Sequence, residues 1–228
     1  MLVYGRNVLK EVLKKKIKIN KVYIQDSLKS DFSLKGLDNV NIIYLKKYEM
    51  DKISSNHQGI ILNIEDYKYV SLSSITFKNA LLVILDHIED PHNFGAIIRS
   101  CEAFGVDGII IPSTRSIEVN STVIKTSVGT VFNMKIAKVK NIVNTMHELK
   151  KNGFWIVGTD MEGTCYDEID YKGSTCIVCG NEGFGMSRLV KENCDFIATI
   201  PMKGEVNSLN ASVATAIVIS QAVRNRRD

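Results

Sequence analysis

The chain has 228 residues, of which 45% are hydrophobic, 24% charged and 7% aromatic, with three prolines. This composition is typical of a globular protein with one large or two small domains, and it excludes wholesale disorder, collagen and a long coiled coil. The net charge of +4 is uneven, because residues 1–79 carry 14 lysines and arginines against 8 acidic residues, which suits either a polyanionic partner or a lysine-rich solvated surface.

Targeting and metal-binding patterns are weak. No apolar run approaches the ~18 residues of a membrane span, and the N-terminus lacks the apolar core and cleavage site of a secretory signal. We therefore expect a cytoplasmic protein with no membrane partner. Five cysteines suit no disulfide framework, and Cys176 and Cys179 lie within an apolar, β-branched run that predicts a buried strand. We interpret both as structural and expect no metal site.

The N-terminal part of the chain predicts a short α/β unit over residues 1–66. Apolar residues at helical spacing predict a helix over residues 6–16. Short apolar runs predict strands at 21–24, 40–43 and 59–62. The following polar, serine-containing stretch has no clear period, and we interpret residues 67–79 as a linker.

From residue 80 onward, apolar strands alternate with helical patterns. The predicted elements are strands at 81–86, 108–111, 154–158, 175–179 and 197–200 and helices at 93–104, 141–151 and 209–224. This alternation predicts a second domain over 80–228, of the α/β class with a mostly parallel sheet. Ligands of such sheets bind beyond the carboxyl ends of the strands, so the loops there are candidate sites.

The first candidate loop precedes the helix predicted at 93–104. Asp90 and Pro91 favour a helix start, which places Asn93 in the first turn and Arg99 six residues further on. Residues 96–98 are all apolar, and we expect an arginine in such company to have an anionic partner.

Two further loops combine flexibility with polar side chains. Residues 180–185 contain three glycines around Glu182 but no phosphate-loop or dinucleotide pattern, which favours a cationic or hydroxyl-bearing ligand. After the last strand, a second loop brings Asn207, Ser208 and Asn210 to the start of the C-terminal helix, which is more polar groups than one helix cap needs.

Taken together, these loops resemble the ordered motifs of the SpoU family of RNA 2′-O-ribose methyltransferases, in the SPOUT class. The resemblance extends over residues 80–228, and its motifs are DPHNFGAIIRSCEAFG (90–105), VCGNEGFG (178–185) and IPMKGEVNSLNASVA (200–214). The N-terminal segments YGRNVLKEVL (4–13) and NHQGI (56–60) resemble the small ribosomal-protein-like RNA-binding domain of the bacterial branch that methylates a guanosine of 23S rRNA.

The resemblance implies a fold and a cofactor that periodicity alone does not predict. It implies an α/β catalytic domain with a deep C-terminal trefoil knot, which is a rare exception to ordinary chain topology. It also implies a homodimer and S-adenosylmethionine as cofactor. The positions that match the family's cofactor contacts are Gly180, Ile200 and Leu209, with Thr159 and Met202 in addition.

Five positions match the family's catalytic residues. Arg99 matches the arginine proposed to assist deprotonation of the 2′-hydroxyl. Because a guanidinium stays protonated in proteins, the alternative is that it clamps the adjacent phosphate and stabilises the developing alkoxide. Asn93, Ser208 and Asn210 would orient the ribose, the arginine and the cofactor, and Glu182 suits a sulfonium cation with ribose hydroxyls.

The expected function is S-adenosylmethionine-dependent 2′-O-methylation of a ribose in RNA, with a guanosine of 23S rRNA as the expected target. RNA is the expected partner because the 2′-hydroxyl distinguishes it from DNA. Two alternatives stay open, namely a tRNA 2′-O-methyltransferase and a catalytically silent RNA-binding relative. The intact set of five candidate catalytic residues argues against the silent relative.

Overall fold

The computed structural model describes residues 1–29, 36–54, 57–205 and 208–227. Asn56 of the NHQGI segment and Asn207 lie outside these residues. The chain forms two compact units, one made of Met1–Lys68 with Val119–Asn133, the other of Tyr69–Glu118 with the chain from Met134 onward. In the part of the chain described, no helix combines the length and apolarity needed to cross a bilayer.

The first unit contains a four-stranded mixed sheet with the strand order β1-β4-β2-β3. β2 is parallel to β3 and antiparallel to β4, which is antiparallel to β1. Its elements are β1 (Leu2–Tyr4), α1 (Arg6–Lys14), β2 (Ile19–Gln25), β3 (Asn41–Leu45), α2 (Lys47–Ile53), β4 (Ile60–Ile64) and α4 (Ser121–Thr126). The apolar face of α1 supplies buried core residues, as its helical spacing predicted.

The second unit contains a six-stranded, fully parallel sheet with the order β10-β8-β9-β5-β6-β7. Its strands are β5 (Leu81–Leu85), β6 (Gly108–Pro112), β7 (Ile136–Val139), β8 (Trp155–Cys165), β9 (Thr175–Cys179) and β10 (Phe196–Thr199). Its helices are α3 (Pro91–Phe104), α5 (Ile142–Lys151), α6 (Arg188–Glu192) and α7 (Ala211–Asn225). The prediction of an α/β fold with a mostly parallel sheet is confirmed, while the trefoil knot stays a prediction.

The order of the strands determines where a ligand can bind. The chain proceeds from β5 outward to β7, then crosses to β8 and returns to β9, which pairs with β5 on its other side. The loops that follow β5 and β9 therefore diverge at a topological switch point, where an open crevice forms. α3 begins there, and the Asp90 side chain accepts hydrogen bonds from the backbone N–H groups of His92 and Asn93.

The residues interpreted as a linker contribute in part to the second unit. The Val70 backbone N–H donates to the carbonyl of Ile136, 2.9 Å away, at the edge of the sheet. Ile75 is fully buried, and a Cβ placed on Gly108 would lie 2.9 Å from it. The apolar residues of this stretch are few and irregularly spaced among serines, so the sequence pattern did not indicate this packing.

Candidate active site

A cleft of about 450 Å³ lies beyond the carboxyl end of β9 in the parallel sheet. The loop after β9, the loop after β10 and the start of α7 form its walls, together with the middle of β8. The five candidate cofactor contacts all line it, namely Thr159, Gly180, Ile200, Met202 and Leu209. Two of the candidate catalytic residues, Glu182 and Ser208, line it as well.

Three of the candidate catalytic side chains form one hydrogen-bonded chain. Asn93, only 8% exposed, donates from Nδ2 to Oε1 of Glu182 at 2.7 Å. Its Oδ1 accepts a hydrogen bond from Asn210 Nδ2 at 2.8 Å. Asn210 is also the N-cap of α7, where its Oδ1 accepts from the Ser212 backbone N–H. Both atoms of the Asn93 amide are therefore committed, which fixes Glu182 and the start of α7 relative to α3.

The glycine-rich loop after β9 is a tight turn stabilised by Asn181. The backbone groups of Asn181 and Gly185 exchange two hydrogen bonds of 2.9 Å, and Asn181 Oδ1 accepts from the Gly183 N–H. A Cβ on Gly180 would lie 2.2 Å from the carbonyl carbon of Gly185, so only glycine fits there. Phe184, at the tip of this turn, is 91% exposed and lines the cleft.

Asp86, at the end of β5, attaches this loop to the sheet. Its carboxylate is buried, and it accepts hydrogen bonds from the Ser187 backbone N–H at 2.7 Å and from His87 Nδ1 at 2.5 Å. The carbonyl oxygen of His87 accepts from Asn181 Nδ2 at 2.7 Å. Sequence reasoning did not single out Asp86, although an acidic residue that ends a fully apolar strand is a usable signal.

Asp160 is a second acidic residue in the cleft that sequence reasoning missed. Lys191 Nζ lies 2.9 Å from its Oδ2, and the Met161 backbone N–H donates to its Oδ1 at 2.8 Å. Partial burial raises the pKa of Asp160, but these hydrogen bonds outweigh burial and hold the pKa below its ordinary value. The carboxylate is therefore ionised at neutral pH, and the cleft has an acidic wall.

Cys179 contributes a neutral thiol to the floor of the cleft. Burial raises its pKa to about 11, against hydrogen bonds with Thr215 and Thr159 that lower it. All five cysteines are free thiols. β9 confirms that Cys176 and Cys179 belong to a buried strand. Among the described residues, no group of three histidine, cysteine or acidic side chains is arranged to hold a metal ion.

Arg99 differs from expectation in its surroundings. Its side chain is exposed on α3, and within the described ranges it has no hydrogen bond or ion pair, so the anionic partner expected for it does not come from these residues and stays a prediction. The exposure follows from helical geometry, because Ile97 and Ile98 turn into the core while the next position faces outward. Apolar neighbours in sequence thus do not bury a helical residue.

Comparisons with known proteins identify the family to which this chain belongs. Residues 80–220 match the SpoU rRNA Methylase family, and residues 2–70 match the RNA 2′-O ribose methyltransferase substrate binding family. A Staphylococcus saprophyticus protein assigned to the TrmH family of tRNA/rRNA methyltransferases is 41% identical, over 99% of this chain and 96% of its own.

Two solved structures extend the comparison. The SpoU methyltransferase AviRb of Streptomyces viridochromogenes, solved in complex with the cofactor AdoMet, is 25% identical with a TM-score of 0.84, over 98% of this chain and 89% of its own. The A. aeolicus TrmH/SpoU tRNA modifying enzyme is 36% identical with a TM-score of 0.59, over 65% of this chain and 76% of its own. This chain therefore belongs to the SpoU rRNA methylase family, as an S-adenosylmethionine-dependent RNA methyltransferase with a substrate-binding N-terminal domain.

Proposed function

We propose that the protein methylates the 2′-hydroxyl of a guanosine ribose in 23S ribosomal RNA. The observation that carries this proposal is the hydrogen-bonded chain of Asn210, Asn93 and Glu182 beside the cleft. It joins the first turn of α3, the loop after β9 and the start of α7 into one group, and 2′-O-transfer depends mainly on holding donor and acceptor in line.

The cleft has the size and chemistry to hold S-adenosylmethionine. Its acidic side chains, Asp160 and Glu182, suit a sulfonium cation and ribose hydroxyls. Its apolar side chains, Ile200, Met202 and Leu209, suit a purine ring. When bound, this cofactor supplies an electrophilic methyl group. Gly180 and Thr159 would approach it closely, because neither carries a bulky side chain.

Arg99 would act on the acceptor RNA. Its guanidinium has no partner within the described part of the chain, so it is free to bind a phosphate next to the reacting ribose. There it would stabilise the alkoxide that forms as the 2′-hydroxyl loses its proton, without itself acting as a base. Ser208, which lines the cleft, would orient the same ribose.

A transfer RNA acceptor is the second candidate. Its support is the similarity to the A. aeolicus tRNA modifying enzyme, whose identity of 36% exceeds that of AviRb. The substrate-binding match over residues 2–70 and the ribosomal name of the family favour ribosomal RNA.

The test is methyl transfer from labelled S-adenosylmethionine to unmodified total RNA, separated into 23S, 16S and tRNA fractions. Nucleosides that carry the label are identified by mass. We expect 2′-O-methylguanosine in 23S RNA. Label in tRNA would overturn the choice of acceptor, and no label in any fraction, with the cofactor bound, would indicate a silent RNA-binding relative.

We further propose that the protein is a homodimer that pairs through α3 and α7. A groove of about 570 Å³ lies along these helices, and its lining includes Ala96, Ala216 and Ile217. Phe104 and Val213, which also line it, are 37% and 48% exposed. Small residues beside exposed apolar ones suit close helix packing against a second copy.

A further inference from the structure

The first unit contains a cavity that the function proposed above does not use. Its volume is about 310 Å³, which is in the range of small-ligand pockets. The lining residues come from β2, α2, α4 and the turn before β4, and they are Gln25, Lys47, Asp51, His57, Gln58, Gly59 and Lys125. The turn belongs to the NHQGI segment, which the catalytic cleft leaves unexplained.

His57 determines the shape of this turn. The ring is buried, with 4% exposed, and its Nδ1 accepts a hydrogen bond from the Gly59 backbone N–H at 2.8 Å. Because Nδ1 is an acceptor, the proton is on Nε2, which donates to Asp51 Oδ1 at 3.1 Å. His57 is therefore a positioning residue that joins the turn to α2.

Gln58 is held in a conformation that non-glycine residues rarely adopt. Its φ is +52°, and the residue is exposed at the cavity. A Cβ on Gly5 would lie 3.3 Å from Gln58 Oε1, so the glycine leaves room for this amide. Strain that is maintained at an exposed polar residue is typical of binding sites.

The charges and side-chain types in the cavity match a nucleotide. Lys47 and Lys125 provide two cations against the single carboxylate of Asp51, which is already hydrogen-bonded to His57. Lysines bind phosphate, whereas amides and carboxylates recognise base edges. Lys125 Nζ also lies 5.1 Å from the centre of the Tyr4 ring, and an aromatic ring offers a stacking surface for a base. A bare phosphate would leave the exposed amide of Gln58 without a role.

We propose that this cavity binds one nucleotide of the substrate RNA, separate from the nucleotide that is methylated. Lys47 and Lys125 hold its phosphate, and Gln58 and Asp51 contact the edge of its base. The inference rests on the proposed function for the identity of the substrate. It adds to the first unit a subsite for the acceptor RNA, lined by residues different from those of the catalytic cleft.

The test compares two charge-matched double variants of the full chain, K47Q/K125Q and K10Q/K14Q. Lys10 and Lys14 are exposed on α1, outside the cavity lining. Binding to unmodified 23S ribosomal RNA, transcribed in vitro, is measured over a range of salt concentrations. Thermal unfolding and S-adenosylmethionine binding report whether each variant is folded.

We expect K47Q/K125Q to weaken RNA binding roughly tenfold and to reduce the salt slope by about 1 per lysine. K10Q/K14Q should change both much less, and cofactor affinity should be unaffected in each. Equal losses in the two variants would overturn the inference, because the cavity lysines would then act only as general surface charge. If wild-type protein binds this RNA but methylates none, the proposed function fails while the binding comparison still decides the inference.

A second variant tests base recognition. Asn tolerates positive φ and shortens the amide, so Gln58→Asn preserves the turn while withdrawing the contact. We expect a higher KM for the RNA that accepts the label, with kcat unchanged. An unchanged KM would remove Gln58 from the proposed subsite.

Discussion

At the residue scale, Arg99 is the sharpest test of the proposed chemistry. Arg99→Ala should lower the methylation rate by roughly 100- to 1,000-fold, because one charged donor to the developing alkoxide is lost. Cofactor affinity should not change, since Arg99 is outside the cleft lining. Arg188→Ala is the control, because Arg188 forms an exposed pair with Glu192 and lies outside the cleft lining. Single-turnover rates and calorimetry measure both quantities, and full activity in Arg99→Ala would exclude its catalytic role.

The Asn93 amide is the second test at this scale. Asn93→Asp replaces the donor to Glu182 with a second carboxylate, so two negative charges would face each other across a 2.7 Å contact. We expect the methylation rate to fall roughly 100-fold, since the hydrogen-bonded chain is broken at its centre. The same change at exposed Asn144 on α5 is the control and should have no effect. Comparable rates for the two variants would contradict the role of the chain.

Cys179 should be unreactive in the folded protein. With its pKa raised to about 11, only about 0.1% of this thiol is ionised at pH 8, against about a quarter of an ordinary cysteine. Alkylation by iodoacetamide should therefore be on the order of a hundredfold slower than for glutathione, and should accelerate as the pH approaches 11. Peptide mass spectrometry measures the rate, and urea-unfolded protein is the control. Rapid native alkylation at pH 8 would contradict this account.

At the element scale, long periodic or wholly apolar segments were predictable. β9 has the predicted bounds because a short apolar, buried run followed by glycine marks a strand, and α3 ends where the sequence predicted because its 14 residues define a helical period. Short elements such as β1, α2 and α6 were missed, since three to seven residues define no period. The cleft loops were predictable because each combines glycine or amide residues with a preceding strand.

β8 shows why strands that depend on distant contacts were not predictable from the sequence. Its polar second half resembles a loop, but it pairs with β10 after a shift in register between Ile197 and Ala198. The cause is a distant contact, because Gly163 packs against the backbone of β10. Asp160, within this polar half, lines the cleft. Local patterns do not contain such information.

Gly163 provides the test at this scale. A Cβ there would lie 2.3 Å from the carbonyl oxygen of Ile197, which is backbone and has little freedom to move. Gly163→Ala should destabilise the protein by about 1–3 kcal/mol and lower the Tm by several degrees. Gly204→Ala, where nothing lies within 4 Å, is the control. Scanning calorimetry measures both, and equal Tm values would show that β10 accommodates the methyl group.

At the scale of the whole molecule, the proposed dimer predicts the molecular mass of the protein in solution and how a substitution changes it. Phe104→Glu places a charge in the groove along α3 and α7 and should convert a dimer into a monomer at micromolar concentration. Leu189→Glu is the control, because Leu189 is 60% exposed but lies outside the groove lining. Light scattering after size-exclusion chromatography gives the masses. A monomeric wild-type protein would overturn the dimer.

The division into units was only partly predictable. A change in charge and a polar stretch indicated a linker over residues 67–79 with a boundary near residue 75, but nothing in the sequence predicted that Val119–Asn133 packs with the first unit. Val123 and Ile124 of this segment are fully buried. Apolar residues in a sequence predict that a segment is buried, but they do not predict which surface it packs against.

That returning segment means that the chain passes between the two units three times. A C-terminal fragment that begins near residue 75 would contain α4 but lack β1, with which α4 makes contact. It would therefore expose apolar side chains that are buried in the intact protein. The N-terminal unit therefore cannot be removed by a single cut without affecting the rest of the chain. A methyltransferase domain produced by truncation alone would therefore need changes in the fifteen residues Val119–Asn133, which pack with the N-terminal unit.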